Sequence, residues 1–352
     1  MKIAIDCRYI GKSGIGTYIE NVVNKILAEH AEHQYLFICE KGNRLAKNKD
    51  AEILETDIQP FSLSELMCFP VSQINKCDAY FSPYINIPGG IEIPVYSTIH
   101  DVVFFDVKGL VSPFGAFVRR FYYKRAIRLS KKIFTVSEFS RERILYHFPT
   151  DKEIVVTGNG ISKTIEESQT TEVENKDFYL FVGNIKRHKG LQTLVRAFEL
   201  ARNKGLKSRL VIVGNSEKFR TRDKELATIL NRSSSVEFTG WVTNEQLIKL
   251  ITEAKALIQP SLYEGFGIPP LEALYLGTNA IISDIPVFKE VYAELPVTFF
   301  RVGDVEDLAD KLFSYKADKL PAEIRTEINK RYSYKKVVNT ILKNIAINMS
   351  RL

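Results

Sequence analysis

Two glutamates eight residues apart, Glu264 and Glu272, frame the segment Pro260-Ser-Leu-Tyr-Glu-Gly-Phe-Gly-Ile-Pro-Pro-Leu-Glu272. A strand-like run, Ala256–Gln259, precedes it, and Pro269 or Pro270 suits the first turn of a helix, where a missing N–H costs nothing. Gly265 and Gly267 let the backbone approach a ligand. The amide groups from Gly265 through Phe266 and Gly267 to Ile268 can then cradle a phosphate ahead of the helix. The helix dipole adds only about 0.3–1 kcal/mol, so the amides matter more than the dipole. Glu272, read as a first-turn residue, can accept two hydrogen bonds from a ribose diol. Glu264, on the loop, can meet a sugar beyond a diphosphate. The competing reading is a plain strand-to-helix connection with an acid that the dipole favours anyway. A glutamate pair around Gly-Phe-Gly-Ile-Pro-Pro favours the ligand.

Other residues could share that chemistry. Lys189 follows the strand-like run Phe178–Val182 and the pair Gly183–Asn184. It is the best cation for a departing diphosphate, where a placed positive charge can lower the barrier by about 3 kcal/mol. A surface lysine without a role is the alternative. Gly14-Ile-Gly16 stands between the first strand and the first helix, where a diphosphate could rest on amides. Its G-x-x-G-x-G spacing fails as a dinucleotide fingerprint, and a tight turn is the simpler reading. His100 ends a strand and precedes Asp101; a histidine satisfied by backbone competes with a ligand-facing one, and Asp101 suits loop support better than base catalysis. No D-x-D occurs, the nearest being Asp304-Val-Glu306, so leaving-group stabilisation without a metal or other cofactor is expected.

The elements that must hold these residues alternate. Lys2–Asp6, Tyr35–Cys39, Ala79–Ser82, Val95–Ile99 and Ile133–Val136 read as strands, with an amphipathic helix over 15–29. Residues 161–177 are polar and aperiodic, a linker. A second series follows: Phe178–Val182, Arg209–Val213, Val236–Thr239, Ala256–Gln259, Ala280–Ser283 and Val297–Phe300, with a helix over 245–254 opened by a Thr243/Gln246 capping box. Strands alternating with helices imply doubly wound parallel sheets, which take ligands outside the carboxyl ends of their strands. A chain of 352 residues suits two such domains. The expected division is 1–165, a linker at 166–177, 178–330, and a basic C-terminal helix over 331–352 packing back across the lobes.

Composition narrows the class. The net charge of +7 suits a nucleotide diphosphate, a polyanion or an anionic membrane surface. No run approaches the ~18–20 apolar residues of a membrane span, and the N-terminus does not resemble a signal peptide, so a cytoplasmic location is expected. Cys7, Cys39, Cys68 and Cys77 form no C-x-x-C pair and read as reduced core or near-core thiols. His30 and His33 have no third ligand nearby, so no metal site is assigned.

Residues 117–132 hold seven cations, Arg119, Arg120, Lys124, Arg125, Arg128, Lys131 and Lys132. Read as one helix, all but Arg119 fall with Phe117 and Phe121 in a sector of about 140°, with Val118, Tyr122, Ala126, Ile127 and Leu129 opposite. Cations among exposed aromatics suit an anionic bilayer near a lipid-linked acceptor; a solvated face is the plain alternative. No nucleic-acid module accompanies the charge.

The chain resembles glycosyltransferase family 4, retaining sugar-nucleotide-dependent enzymes of the GT-B fold. Glu264 and Glu272 match that family's E-x7-E motif. The likeness extends through Ser13-Gly-Ile-Gly-Thr-Tyr18, Thr98-Ile-His-Asp101, Thr135-Val-Ser-Glu-Phe-Ser140, Asn159-Gly160, Val182-Gly183…Lys189-Gly190, Phe238-Thr-Gly-Trp241 and Ile282-Ser-Asp-Ile-Pro286…Glu290. It implies that Glu264 contacts the donor sugar and Glu272 the ribose, that His100 lies beside the transferred sugar, and that the Gly14–Gly16 loop faces the donor phosphates from the opposite lobe. It also implies front-face transfer, in which the leaving phosphate helps take the acceptor proton. Many relatives carry Arg where this chain has Asn184 or His188; Lys186 and Arg187 are the available substitutes. The expected reaction moves a hexose or deoxyhexose from a nucleotide sugar to a glycan or polyprenol-linked acceptor, in bacterial surface polysaccharide synthesis at the inner face of the membrane. A sugar-nucleotide epimerase and an inactive nucleotide-sugar-binding scaffold are the competing readings.

Overall fold

Short apolar strands covered on both faces become two all-parallel sheets, as the near-continuous hydrophobic runs require. The computed structural model describes residues 1–43, 45, 51–168, 176–184, 186–214, 235–316, 320–321 and 323–349. The chain divides into one unit of Met1–Ser162 with Ser333–Leu352, and another of Lys163–Tyr332.

In the first unit, β1 (Lys2–Asp6), β2 (Gln34–Glu40), β3 (Glu52–Thr56), β4 (Ala79–Ser82), β5 (Val95–Thr98), β6 (Ser130–Thr135) and β7 (Ile154–Val156) take the order β3-β2-β1-β4-β5-β6-β7. Its helices are α1 (Ser13–Glu29), α2 (Leu63–Met67), α3 (Val103–Asp106), α4 (Pro113–Leu129) and α5 (Glu138–His147). The second unit opens with α6 (Lys163–Glu166). Its strands β8 (Lys176–Val182), β9 (Arg209–Val213), β10 (Val236–Gly240), β11 (Ala254–Gln259), β12 (Ala280–Ser283) and β13 (Val297–Phe300) take the order β10-β9-β8-β11-β12-β13. Among them run α7 (Leu191–Asn203), α8 (Asn244–Glu253), α9 (Ile268–Tyr275), α10 (Pro286–Val291), α11 (Val305–Ser314) and α12 (Ile324–Arg331). The C-terminal α13 (Tyr334–Met349) closes the first unit.

Each sheet reverses its winding once, between β1 and β4 in the first and between β8 and β11 in the second. These switch points open a crevice at the carboxyl ends of the strands. The capping box that starts α8 is complete: Gln246 N–H donates to Thr243 Oγ1 at 3.2 Å, and Thr243 N–H to Gln246 Oε1 at 2.9 Å.

Several expectations need correcting. Strand β8 starts at Lys176 and α6 covers Lys163–Glu166, so both ends of the expected linker are structured; residues 169–175 lie outside the described residues. The C-terminal helix, expected to pack back across the lobes after the second domain, lies instead with the first unit, where Tyr334, Val337, Val338, Ile341, Leu342 and Ile345 join a core with Ile3, Ile5, Val22 and Ile26. The basic helix stops at Leu129, so Lys131 and Lys132 lie on β6. Leu129, expected to face the core, is exposed, as is Cys68, whereas Cys7, Cys39 and Cys77 are buried. Among the described residues no helix is long and apolar enough to cross a membrane.

Candidate functional site

The second unit's switch point gathers the strongest sequence signals. The loop leaving β8 passes Gly183 and Asn184 to the short turn Arg187–Lys189, and the loop leaving β11 runs from Pro260 to Gly267. The two loops interlock. Leu262 N–H donates to His188 O at 2.8 Å, and Gly190, at φ +68°, lies so close to Pro260 O that a Cβ would stand 1.8 Å from it. Only glycine fits there.

That contact brings Lys189 onto Glu264. The ammonium Nζ lies 2.7 Å from both carboxylate oxygens, and Oε1 also accepts from Ser261 Oγ at 2.7 Å and Gln259 Nε2 at 3.1 Å. Burial alone would raise the Glu264 carboxyl. The Lys189 charge and the Lys189 and Ser261 hydrogen bonds outweigh it and hold the carboxyl below its ordinary value. Glu264 is therefore a buried, fully paired carboxylate, 9% exposed. His188 beside it is pushed down to about 4 by burial and then by the Lys189 charge, and its buried Nδ1 has no hydrogen-bond partner among the described residues.

Helix α9 begins at Ile268, with Gly267 as its N-cap at φ +90°. A Cβ on Gly267 would stand 2.3 Å from the Phe288 ring, and Tyr292 donates its hydroxyl to Gly267 O. Glu272 is thus the fifth helical residue and sits in the second turn rather than the first. Phe266 is 5% exposed and packs edge-on against Tyr332, so its ring is structural and only its backbone can serve a ligand. Gly265, Gly183 and Ile268 are half-buried, while Asn184, Lys186 and Arg187 are exposed on the β8 loop. Trp241 follows β10, two strands from β8, and is 86% exposed.

The first unit's switch point holds the rest. Helix α1 starts at Ser13, so Gly14 and Gly16 lie in its first turn, and the turn proper is Tyr9–Lys12. Ser13 has φ 59°, a strained conformation outside glycine. A Cβ on Gly16 would stand 2.3 Å from Tyr9 O, whereas Gly14 has open space around it.

His100 follows β5. Its Nε2 lies 2.9 Å from Pro83 O, which can only accept, so Nε2 carries the proton. Burial pushes His100 down to about 4, leaving it neutral near pH 7 with Nδ1 as an acceptor. Asp101 Oδ1 accepts from Val103 N–H at 3.0 Å, a loop-supporting contact. Thr135 Oγ1 donates to Ile99 O at 2.7 Å and Ser140 Oγ to His100 O at 3.0 Å, so these hydroxyls brace His100.

A buried ion cluster escaped the sequence reading. Arg8 lies against both Asp6 and Glu65, and Asp6 Oδ2 also accepts from Tyr80 Oη at 3.0 Å and Asn86 Nδ2 at 2.9 Å. It ties the ends of β1 and β4 to α2 at the switch point. The available signal was two opposite charges, Asp6 and Arg8, closing the first strand.

The helix α4 cations divide in two. Arg119 stacks on Phe104 at 4.4 Å, Arg120 on Phe105 at 4.9 Å, and Arg125 donates to Ile87 O and Pro88 O. These three lie back on the protein. Lys124 and Arg128 are exposed, with Phe117 and Phe121 on the same face. Lys131 is exposed on β6, and Lys132 pairs with Glu153 at 2.8 Å.

Residues 162–336 match the model of the family described as glycosyl transferases group 1. The chain is 31% identical over 205 residues to the O-antigen chain mannosyltransferase RfbU of Salmonella typhimurium, covering 55% of this chain and 53% of that one. It is 25% identical over 233 residues to the O-antigen chain mannosyltransferase B of Escherichia coli, covering 61% and 59%. The chain thus spans about half the length of the curated relatives it matches. Among solved structures it resembles Anabaena Alr3699/HepE in complex with UDP and glucose, with a TM-score of 0.75 at 15% identity over 98% of this chain and 99% of that one. It also resembles the lipopolysaccharide outer core galactosyltransferase WaaB, at 0.65 and 21% over 100% of both. These likenesses establish the GT-B fold.

Proposed function

We propose that this chain, whose residues 162–336 match the glycosyl transferases group 1 model and whose fold is GT-B, is a retaining hexosyltransferase of family-4 type. It would move a hexose from a nucleotide-diphosphate sugar to a glycan or polyprenol-linked acceptor in surface polysaccharide synthesis. Mannose is the first candidate, because the matched curated relatives include O-antigen mannosyltransferases. The observation that carries the reading is the Lys189–Glu264 pair beside the α9 N-terminus at the second unit's switch point. In this reading the α9 amides and Lys189 hold the diphosphate, and Glu272 holds the ribose.

The bond from C1 of the sugar to the phosphate oxygen breaks while the acceptor oxygen bonds to C1 on the same face. The acceptor proton passes to the departing phosphate, whose charge Lys189 offsets with help from Lys186 or Arg187, and no metal takes part. Glu264 orients the sugar hydroxyls; a carboxylate already tied by Lys189, Ser261 and Gln259 is poorly suited to attack. In the first unit, His100 can accept a hydrogen bond from a sugar hydroxyl through Nδ1. The exposed face of α4, with Lys131, works at an anionic membrane on its cytoplasmic side.

Product analysis with GDP-mannose and UDP-glucose, with and without acceptor, tests this. Transfer with retained anomeric configuration supports it. A changed nucleotide sugar without acceptor would make the chain an epimerase, and tight binding without turnover a scaffold.

A further inference from the structure

The exposed face of α4 changes character along its length. Phe114, Phe117 and Phe121 are 76%, 71% and 48% exposed. At 100° per residue they share a sector of about 80° with Lys124 and Arg128 one to four turns on. The cationic end opens onto a groove of about 660 Å³ between α4 and residues 147–152, lined by Arg120, Lys124, Arg128, His147 and Lys152. Among the described residues lining it, only Asp151 is acidic.

The cations are arranged for a guest rather than for one another. Arg120 is fixed in the wall: its guanidinium stacks on Phe105 and Phe148 at 4.9 and 5.3 Å, and Nη1 donates to His147 O at 3.5 Å. The His147 ring is engaged by Asp106 at 2.7 Å. Lys124, Arg128 and Lys152 have no carboxylate partner among the described residues. Four cations around one groove repel each other and concentrate anions there. An arginine fork matches the oxygens of a phosphate.

We propose that this groove binds the phosphate of an anionic membrane lipid while the Phe114–Phe117–Phe121 stripe inserts beside it. The proposal rests on the membrane part of the reading above and gives it a defined site. A soluble phosphate compound offers the same charge, but it leaves the adjoining aromatic stripe without a role.

The test is co-sedimentation of the whole chain with phosphatidylcholine vesicles, with and without phosphatidylglycerol. Titration with inorganic pyrophosphate serves as the soluble arm. The chain should bind only the phosphatidylglycerol vesicles. Combining Lys124→Gln, Arg128→Gln and Lys152→Gln should weaken partitioning by roughly a hundredfold, at about fivefold per cation. Combining Lys207→Gln, Lys249→Gln and Lys330→Gln, which removes equal charge from exposed positions of the second unit, should leave it nearly unchanged. Melting curves check folding, and Lys152→Gln alone, expected to cost about fivefold, stands in if the triple variant does not fold. Equal losses in both triple variants, no vesicle binding by the unaltered chain, or pyrophosphate binding without vesicle binding would overturn the proposal. Donor binding is read separately by thermal shift in the second unit, so failure of the transferase reading gives a different result.

Discussion

At Glu264 burial and pairing pull in opposite directions, and pairing wins because Lys189 reaches both carboxylate oxygens. Removing one partner of a buried pair leaves the other uncompensated. Lys189→Ala should therefore cost stability, by about 3 kcal/mol, and lower kcat at least a hundredfold if Lys189 also offsets leaving-group charge. Steady-state kinetics beside urea melts separate the two effects. An unchanged kcat would assign Lys189 to structure alone.

The histidines give a second handle. His100 and His188 titrate near 4 in the folded chain, against 6.5 ordinarily, because burial penalises the charged ring. As pH falls below about 6.5 the unfolded chain takes up protons that the folded chain refuses, so stability should decline until about pH 4. The lowered Glu264 carboxyl adds to the loss below its ordinary value, 4.5. Urea midpoints at pH 7 and pH 4.5 read this, and His188→Asn should flatten the slope. An unaltered slope would mean that His188 is not held neutral.

At the scale of elements, glycines decide how closely loops meet. A Cβ on Gly14 would meet nothing within 4 Å, whereas one on Gly16 would stand 2.3 Å from Tyr9 O. Gly14→Ala should be neutral or slightly stabilising in the first turn of α1. Gly16→Ala should destabilise by about 1–3 kcal/mol through forced backbone movement. Denaturant melts of the two variants check the contrast; equal effects would mean that the Tyr9–Lys12 turn is not packed as described.

Much of this level was legible in the sequence. The strands Ala79–Ser82, Arg209–Val213, Ala280–Ser283 and Val297–Phe300 have the bounds expected, because each is a short, largely apolar run rich in β-branched or aromatic residues. Edge strands β3 and β7 were missed: Glu52–Thr56 is mostly polar or half-buried, and Ile154–Val156 is three residues long. The basic helix was read three residues too far because its cationic rhythm continues into β6; the helix capped by Ser112 ends where Ser130 turns to extended backbone. Likewise Glu264 and Lys189 could be named from motif and position, but their contact depends on Gly190 meeting Pro260, seventy residues away.

At the scale of the molecule, the last helix is separated from its core by the whole second unit. Six apolar side chains of α13, from Tyr334 to Ile345, are buried with β1 and α1. Gly160 stands so close to the start of this helix that a Cβ would lie 2.4 Å from Tyr334 N. At about 1.5–3 kcal/mol per buried side chain, their loss is comparable to the roughly 5–15 kcal/mol that stabilises a domain. A chain ending at Ser333 should therefore lose the first unit's cooperative melt while the second unit keeps its own. Limited proteolysis with peptide mapping would show it; protection of both units would contradict the packing.

In the proposed function the β8–β11 switch point holds a nucleotide sugar through the α9 amides, Lys189 and Glu272. The most direct measurement is a thermal-shift titration of the unaltered chain and of Glu272→Ala with GDP-mannose, UDP-glucose and their parent diphosphates. At one hundred times its dissociation constant a true donor should stabilise the fold by about 2.7 kcal/mol, and Glu272→Ala should lose most of that shift. Stabilisation that survives intact in Glu272→Ala, or no stabilisation of the unaltered chain by any of these nucleotides, would contradict it.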